Sequence, residues 1–238
     1  MTDSSQLRRR DWSLCGPARR LQMALKRVVD VAVAGPGLVI LSPLLALLAL
    51  LIRRGSPGPA FFQQARLGRY GQVFTIYKLR TMVDGAPLVL NDDGSTRVVS
   101  GDPRVTGLGA KLRLFALDEL PQLLNVLRGE MSLVGPRPDL DFQLQHYRGS
   151  DWCRLAMRPG MTSLAQVSGR NTLTWRERME LEVEYVERFS LLLDLQIAWR
   201  TVGVVVGGVG VNQEPCQTGS RAGSGALDEN AMGGEGEL

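Results

Sequence analysis

Residues 31–52 form an uncharged run of twenty-two residues, from Val31 to Ile52, the longest in the chain. At about 1.5 Å per residue a straight helix of this length reaches roughly 33 Å, enough to cross the hydrocarbon core of a bilayer. Lys26 and Arg27 precede the run and Arg53 and Arg54 follow it, so the preference for positive charge on the cytoplasmic side draws both ends to that side. Ser42-Pro43 lies at the midpoint. The proline removes a backbone donor and clashes with the carbonyl four residues back, while a serine hydroxyl can take up the freed group. Two topologies fit this pattern: a helix broken at Ser42-Pro43 that enters one leaflet and turns back, or a kinked single-pass anchor.

Downstream the pattern shortens. Gly55-Ser56-Pro57-Gly58-Pro59 is a turn-rich exit. Phe61-Phe62 and Val73-Phe74-Thr75-Ile76-Tyr77 flank a glycine-containing loop and predict a β-hairpin. Residues 84–104 are polar and rich in turn formers, a long loop of the functional or mobile kind. The spacing predicts a helix over 107–128, interrupted near Leu117, and another over 140–157, ended by Arg158-Pro159-Gly160. Ala165 to Asn171 reads as a strand running into a turn. Trp175 to Phe189 is amphipathic, with Met179, Val183 and Val186 on one side and a Glu/Arg series on the other. Leu191 to Val206 is apolar except at Asp194, Gln196 and Arg200, a segment to lie on a membrane surface or fill the core.

At 238 residues the chain can bury one proper core, and its 44% apolar content is that of a globular protein only on average. The segregation is strong. Residues 212–238 are Gly, Ser and acidic residues without periodicity, and are expected to be disordered. Their five acids and one arginine give −4, so with +4 for the whole chain the first 211 residues carry +8. Such a body suits a polyanion, anionic lipid or a phosphorylated substrate. No basic helix, zinc spacing or aromatic-rich strand points to nucleic acid. Cys15, Cys153 and Cys216 have no metal or redox spacing, which fits a reducing compartment, and the one histidine, His146, reads as a surface or structural group. Residues 1–25, with Arg8, Arg9, Arg10, Arg19 and Arg20, form a basic arm without the cleavage pattern of a secretory signal.

Candidate chemistry centres on Asp118-Glu119. Alone, two acids before an apolar helix face are an N-terminal cap. Their company suggests more. Lys78, Arg80, Arg113, Arg137, Arg158 and Arg170 lie beside turns or prolines, and a guanidinium is the preferred partner of phosphate oxygens. A carboxylate in such a cationic field stays ionised and is a plausible nucleophile toward phosphorus; its neighbour can hold Mg²⁺, which keeps substrate phosphates in its shell. No Gly-x-x-x-x-Gly-Lys sequence is present, which argues against P-loop nucleotide hydrolysis. These features suggest phosphoryl transfer at a membrane surface.

The same motifs resemble those of the bacterial sugar transferases, monotopic polyprenol-phosphate phosphoglycosyl transferases. The match runs from about Lys26 to Val206 through Lys-Arg-Val-Val-Asp, Leu-Ser-Pro-Leu, Phe-Thr-Ile-Tyr-Lys-Leu-Arg-Thr-Met, Leu-Asp-Glu-Leu-Pro-Gln, Ser-Leu-Val-Gly-Pro-Arg-Pro, Arg-Pro-Gly-Met-Thr, Ala-Gln-Val-Ser-Gly-Arg-Asn and Leu-Leu-Asp-Leu. The resemblance implies that Asp118 attacks the sugar-bearing phosphate of a UDP-sugar, releasing UMP, and that undecaprenyl phosphate then takes the sugar phosphate from the enzyme. It implies a Mg²⁺ site at Glu119 and Asp118, and substrate contacts at Lys78, Arg80, Arg113, Arg137, Arg158, Arg170 and Asp194. It also favours the re-entrant hairpin on the cytoplasmic face of a bacterial inner membrane, and leaves room for a homodimer and downstream glycosyltransferases as partners. Ser163 and Ser168 stand where many relatives have Gly and Asn, which leaves the sugar open. The expected fold is α/β, a small membrane-associated domain with an N-terminal re-entrant helical hairpin, a β-hairpin and several amphipathic helices. The expected divisions are arm 1–25, hairpin 26–54, catalytic domain 55–211 and tail 212–238. Two other readings fit the residues: a non-catalytic anchored module of a polysaccharide assembly complex, and a single-pass protein with a nucleotide-sensing domain.

Overall fold

The computed structural model describes residues 17–91, 96–99, 101–169 and 172–207. Its longest element is helix α1, Pro17–Gly55, which begins within the expected basic arm and ends on Arg53 and Arg54, cations that suit the negative end of a helix dipole. The helical assignment runs through Pro36 and Pro43, although a break was expected at the second. A reason is visible at Ser42. Pro43 cannot donate to the carbonyl of Val39, and the Ser42 hydroxyl donates to it instead, at 2.7 Å.

α1 is not an isolated span. Ala34, Leu38 and Leu41 pack with Ile76, Leu123, Val126 and Met131; Leu45, Leu48 and Ile52 pack with Ala60, Leu79 and Leu112. The face turned away from the domain is apolar and bare, with Val39 and Ile40 more than 70% exposed. Water does not favour an apolar face of that extent, and a lipid surface would.

Two small sheets follow. β1 (Phe61–Leu67) and β2 (Val73–Leu79) form the expected antiparallel hairpin, with Phe61 opposite Leu79 and Leu67 opposite Val73. Helix α2 (Gly107–Leu114), a 3-10 turn at Leu117–Glu119 and helix α3 (Gln122–Arg128) reproduce the expected interrupted helix. β3 (Ser132–Val134) then pairs in parallel with β4 (Gly160–Thr162), strands of three residues that no period-two pattern could announce.

Two local expectations fail for identifiable reasons. Residues 140–157 form two 3-10 stretches, Asp141–His146 and Gly149–Ala156, in place of one helix. Gly149 sits at φ 49°, and Asp151 turns its carboxylate back onto the Arg148 amide at 2.8 Å, which competes with a continuous helical ladder. Leu164–Ser168 is helix α4 and not a strand, started by Ser163, whose hydroxyl accepts from the Gln166 amide. Helix α5 (Trp175–Glu187) opens on a capping box between Thr174 and Glu177 and buries Met179, Val183 and Val186, the face read from the sequence. Helix α6 (Leu191–Gly207) fills the core along one side. Ile197 is buried with Tyr185 and Phe189, while Leu192, Leu195, Trp199 and Val202 form an exposed stripe.

Candidate active site

The Asp118 turn is built by sterics before it is built by charge. Thr106 caps α2 by accepting from the Gly109 amide at 3.0 Å. Gly109 lets α2 lie against the strand that leaves β2, since a Cβ there would meet the Thr81 carbonyl oxygen at 2.0 Å. α2 stops at Phe115, and Ala116 takes the left-handed conformation, φ 52° and ψ 23°, which is costly for a residue with a Cβ. The chain then turns through Leu117, Asp118 and Glu119. Leu117 and Leu120 pack onto the cluster that holds Leu45, Leu48 and Ile52, so the second half of α1 directly supports the acidic turn.

Cations converge on it from three elements. Lys78 on β2 donates to Glu119 Oε1 at 2.7 Å. Arg113 on α2 donates through Nε to Thr81 Oγ1 at 2.8 Å, and its charge favours ionised Asp118. Arg137, between Pro136 and Pro138, brings a guanidinium nitrogen to 3.9 Å from Glu119 Oε1. Asp118 is buried, and among the described residues no side chain donates a hydrogen bond to its carboxylate. Burial first, and the neighbouring Glu119 second, push its pKa up to about 6 against the pull of Lys78 and Arg113. The expectation from the sequence that the cationic field keeps this acid ionised holds at neutral pH, although burial raises its pKa above the ordinary carboxylate value. It remains mostly ionised at neutral pH and is a stronger base than an exposed aspartate.

Sequence reasoning missed Arg66. It is the second-last residue of β1, donates to the Pro138 carbonyl at 3.1 Å and to Gln64 Oε1 at 2.6 Å, and is held down to about 10 by burial and then by the charge of Arg137. Glu119 acts on it in the opposite sense. Its position in the alternation of a half-exposed strand gave no sign of this.

Other expected residues have different work. Arg80 donates to the Ser56 and Pro57 carbonyls and to Ser56 Oγ, and so fixes the exit from α1. Arg158 donates to the Gly129 carbonyl at 2.8 Å, just past the end of α3, where Arg27 also caps Val126 and Leu127. Asp194 accepts from Lys26 at 2.6 Å and from Tyr185 at 2.7 Å, joining α6 to α1 and α5. In each case the hydrogen bonds found go to other groups, away from Asp118 and Glu119. Arg170 lies outside the described residues, as do Cys15 and Cys216.

For a metal, the donor set is two adjacent carboxylates of one turn. Among the described residues there is no group of three or more His, Cys, Asp or Glu placed to hold a metal ion. That set does not fit a cage made wholly of protein ligands. It does fit Mg²⁺, which takes one or two carboxylates and completes its shell with phosphate oxygens and water.

Comparison with known proteins agrees with the motifs. The description "Bacterial sugar transferase" matches residues 21–208. An exopolysaccharide production protein, ExoY, of Rhizobium meliloti is 40% identical over 201 residues, covering 80% of this chain and 89% of that protein. A UDP-glucose:undecaprenyl-phosphate glucose-1-phosphate transferase of Caulobacter vibrioides is 44% identical over 198 residues, 79% of this chain and 72% of its own. An undecaprenyl-phosphate galactose phosphotransferase of Salmonella typhimurium is 39% identical over 200 residues, 79% of this chain but 42% of that longer protein.

Proposed function

The chain belongs to the bacterial sugar transferase family, and on that premise we propose that it moves a sugar-1-phosphate from a UDP-sugar to undecaprenyl phosphate through a covalent intermediate on Asp118. It is a phosphoglycosyl transferase. An oxygen of the Asp118 carboxylate attacks the sugar-bearing phosphorus; the bond from that phosphorus to the bridging oxygen breaks, and UMP leaves with the oxygen. An oxygen of undecaprenyl phosphate then attacks the same phosphorus and expels the carboxylate. No proton has to move in either step. The observation that carries this reading is the Asp118 carboxylate itself, buried, without a donating side chain among the described residues, and raised to about 6. A carboxylate whose charge burial disfavours is a stronger base, and so a better nucleophile, than an exposed aspartate.

Glu119, held by Lys78 and faced by Arg137, orients the cationic groups that receive the diphosphate. Arg113 and Arg137 offer planar donors to the phosphate oxygens, where negative charge shifts during transfer. Mg²⁺ at Asp118 and Glu119 would neutralise charge on the leaving phosphate. The Leu117 and Leu120 contacts to α1 bring the turn close to the element that meets lipid, where a polyprenol acceptor resides.

The basic flanks on both sides of the run support placing both ends of α1 on the cytoplasmic side of the inner membrane. Ser13→Cys and Arg54→Cys, in a background without the native cysteines, should both resist an impermeant thiol reagent in intact cells. Labelling of one from outside would mean a single-pass anchor.

A panel of UDP-sugars with undecaprenyl phosphate, read as UMP release, tests the reaction. One sugar should support turnover, and trapping before the acceptor is added should give a phosphosugar adduct on Asp118. UMP release without an adduct would show direct transfer, and no UMP from any sugar would favour the anchored-module reading.

A further inference from the structure

Between Pro136 and Pro138 the loop has four backbone groups able to hydrogen-bond, because prolines bring no amide hydrogen. All four are taken. The Pro136 carbonyl accepts from the Gly160 amide at 2.9 Å. The Arg137 amide donates to Glu182 Oε2 at 3.2 Å. The Arg137 carbonyl accepts from the Arg154 guanidinium at 2.6 Å, and the Pro138 carbonyl accepts from Arg66 at 3.1 Å.

Three of these partners are charged side chains, and two of those, Arg154 and Glu182, are buried. Arg154 is in turn bound to Asp139 and to the Tyr147 hydroxyl, itself a donor to Asp139 at 2.6 Å. Glu182 sits on the face of α5 that also buries Met179, Val183 and Val186, where the helical period calls for an apolar residue. Its second oxygen is buried without a partner among the described residues. Stability alone gives little reason for such an arrangement, since well-packed apolar side chains usually do as well as a buried ionic cluster. What the cluster does achieve is a fixed peptide unit under Arg137, the residue whose guanidinium faces Glu119.

We propose that Glu182 and Arg154 are positioning residues for Arg137, which hold its amide and its carbonyl and so fix where its guanidinium meets the diphosphate of the substrate. Ser163 stands beside the same device: it is fully buried, caps α4 through Gln166, and its hydroxyl favours the charged form of the Glu182 carboxyl, which burial disfavours. Ser163, one of the two positions at which this chain differs from many relatives, therefore reaches Arg137 through a single intermediary, Glu182. The proposal rests on the phosphoglycosyl-transfer reading for its kinetic consequence, but not for the clamp.

A double-mutant cycle against Arg137→Ala separates positioning from general support. Glu182→Leu removes the acceptor at similar volume and should lower kcat about ten-fold, whereas Glu182→Gln, which still offers an oxygen to the Arg137 amide, should stay within about three-fold of wild type. In the Arg137→Ala background Glu182→Leu should cost no further turnover, though it lowers Tm as much as it does in the wild type. Equal loss of kcat in both backgrounds would overturn the proposal. Should Glu182→Leu fail to fold, Ser163→Gly makes the same test with a smaller change, expected at about three-fold in the wild type and nothing in Arg137→Ala. Hydrogen exchange gives a readout independent of activity. Within residues 135–138 only Gly135 and Arg137 carry exchangeable amides, and the Arg137 amide should exchange at least about a hundred-fold faster in Glu182→Gly or Ser163→Gly protein than in wild type. Absence of UMP release by the wild type would defeat the function and leave this exchange result to decide the clamp, which unchanged exchange would overturn.

Discussion

Asp118 and Asp194 are buried to the same degree, each 9% exposed, and in both burial is the largest cause of a raised pKa. Their partners differ. Asp194 is met by Lys26 and by the Tyr185 hydroxyl at hydrogen-bond distance, and the three together tie α1, α5 and α6 to one another. Nearby, Asp30 of α1 accepts from the Ser132 hydroxyl and the Leu133 amide, a second polar tie from the same helix. Asp118 has cations near it but, among the described residues, no side chain that donates to it, and it stands on a turn entered through a left-handed alanine. One acid is satisfied and holds the fold together. The other has no donating side chain among the described residues, and its charge is held in a buried turn at the expense of stability, as reactive groups commonly are.

The sharpest test of that difference is Asp118→Asn. It keeps the shape and removes the attacking charge, so turnover should fall at least about 1,000-fold, on the order of 4 kcal/mol of barrier, with no adduct formed. Stability should move the other way. With its pKa raised from 3.8 to about 6, Asp118 in the folded protein retains a proton that the unfolded chain has lost between about pH 4 and 6. Its contribution to stability therefore falls as pH rises through that window, by about 2–3 kcal/mol in all. In protein free of Mg²⁺, Asp118→Asn should match wild type near pH 4 and exceed it at pH 7.5. A variant less stable than wild type at pH 7.5 would mean that Asp118 is a satisfied structural acid.

Asp194→Asn should give the reverse pair of results. Asn can still accept from Tyr185, but Lys26 is left as a buried cation without its counter-charge, which costs about 3 kcal/mol. Turnover per folded molecule should stay within about two-fold of wild type, on the scale of ~0.4 kcal/mol. Loss of turnover without loss of Tm would return Asp194 to the substrate-binding set that the motif comparison suggested.

How far the sequence could be read follows the same division. Long-period features were legible: the apolar run of α1, the hairpin of β1 and β2, the interrupted helix around Leu117 and the buried face of α5. So were Asp118, Glu119, Lys78, Arg113 and Arg137 as one neighbourhood, because they lie in compact motifs. Cation placement was only half legible. Arg80 and Arg158 also sit beside turns, but a turn supplies unpaired carbonyls as well as access to ligand, and the local sequence does not say which of the two an arginine serves. The parallel pairing of β3 with β4 spans 28 residues between Ser132 and Gly160, and nothing local encodes it. Glu182 did leave a mark, an acid on the apolar face of α5, and that irregularity is the one from which its contact with Arg137 could have been suspected.

Arg137→Lys probes the working region more gently. Charge is kept and the fork of donors is lost, so turnover should drop about ten-fold, or ~1.4 kcal/mol, with Tm unchanged. The same exchange at Arg158, whose Nε serves the Gly129 carbonyl, should lower Tm and leave turnover per folded molecule near wild type. Equal kinetic losses at the two positions would erase the distinction between arginines that face the acidic turn and arginines that close helix ends.

The smallest expected effect concerns Ala116. Its left-handed backbone, φ 52°, costs an L-residue roughly 1 kcal/mol or more, and glycine adopts it freely. Part of the relief is offset because glycine gives the unfolded chain more conformations to lose, so Ala116→Gly should stabilise the protein by about 0.5 kcal/mol. Glycine also lets the turn leave the left-handed region. That freedom loosens the presentation of Asp118 without touching a polar group, and kcat should fall by about two- to three-fold while KM for the UDP-sugar holds. The equivalent change at a relaxed helical alanine, Ala34→Gly on the buried face of α1, should instead destabilise, since it removes a fully buried methyl and adds backbone freedom with no strain to release. If Ala116→Gly destabilised as Ala34→Gly does, the turn would hold no strain, and the contrast between the two buried acids would rest on their partners alone.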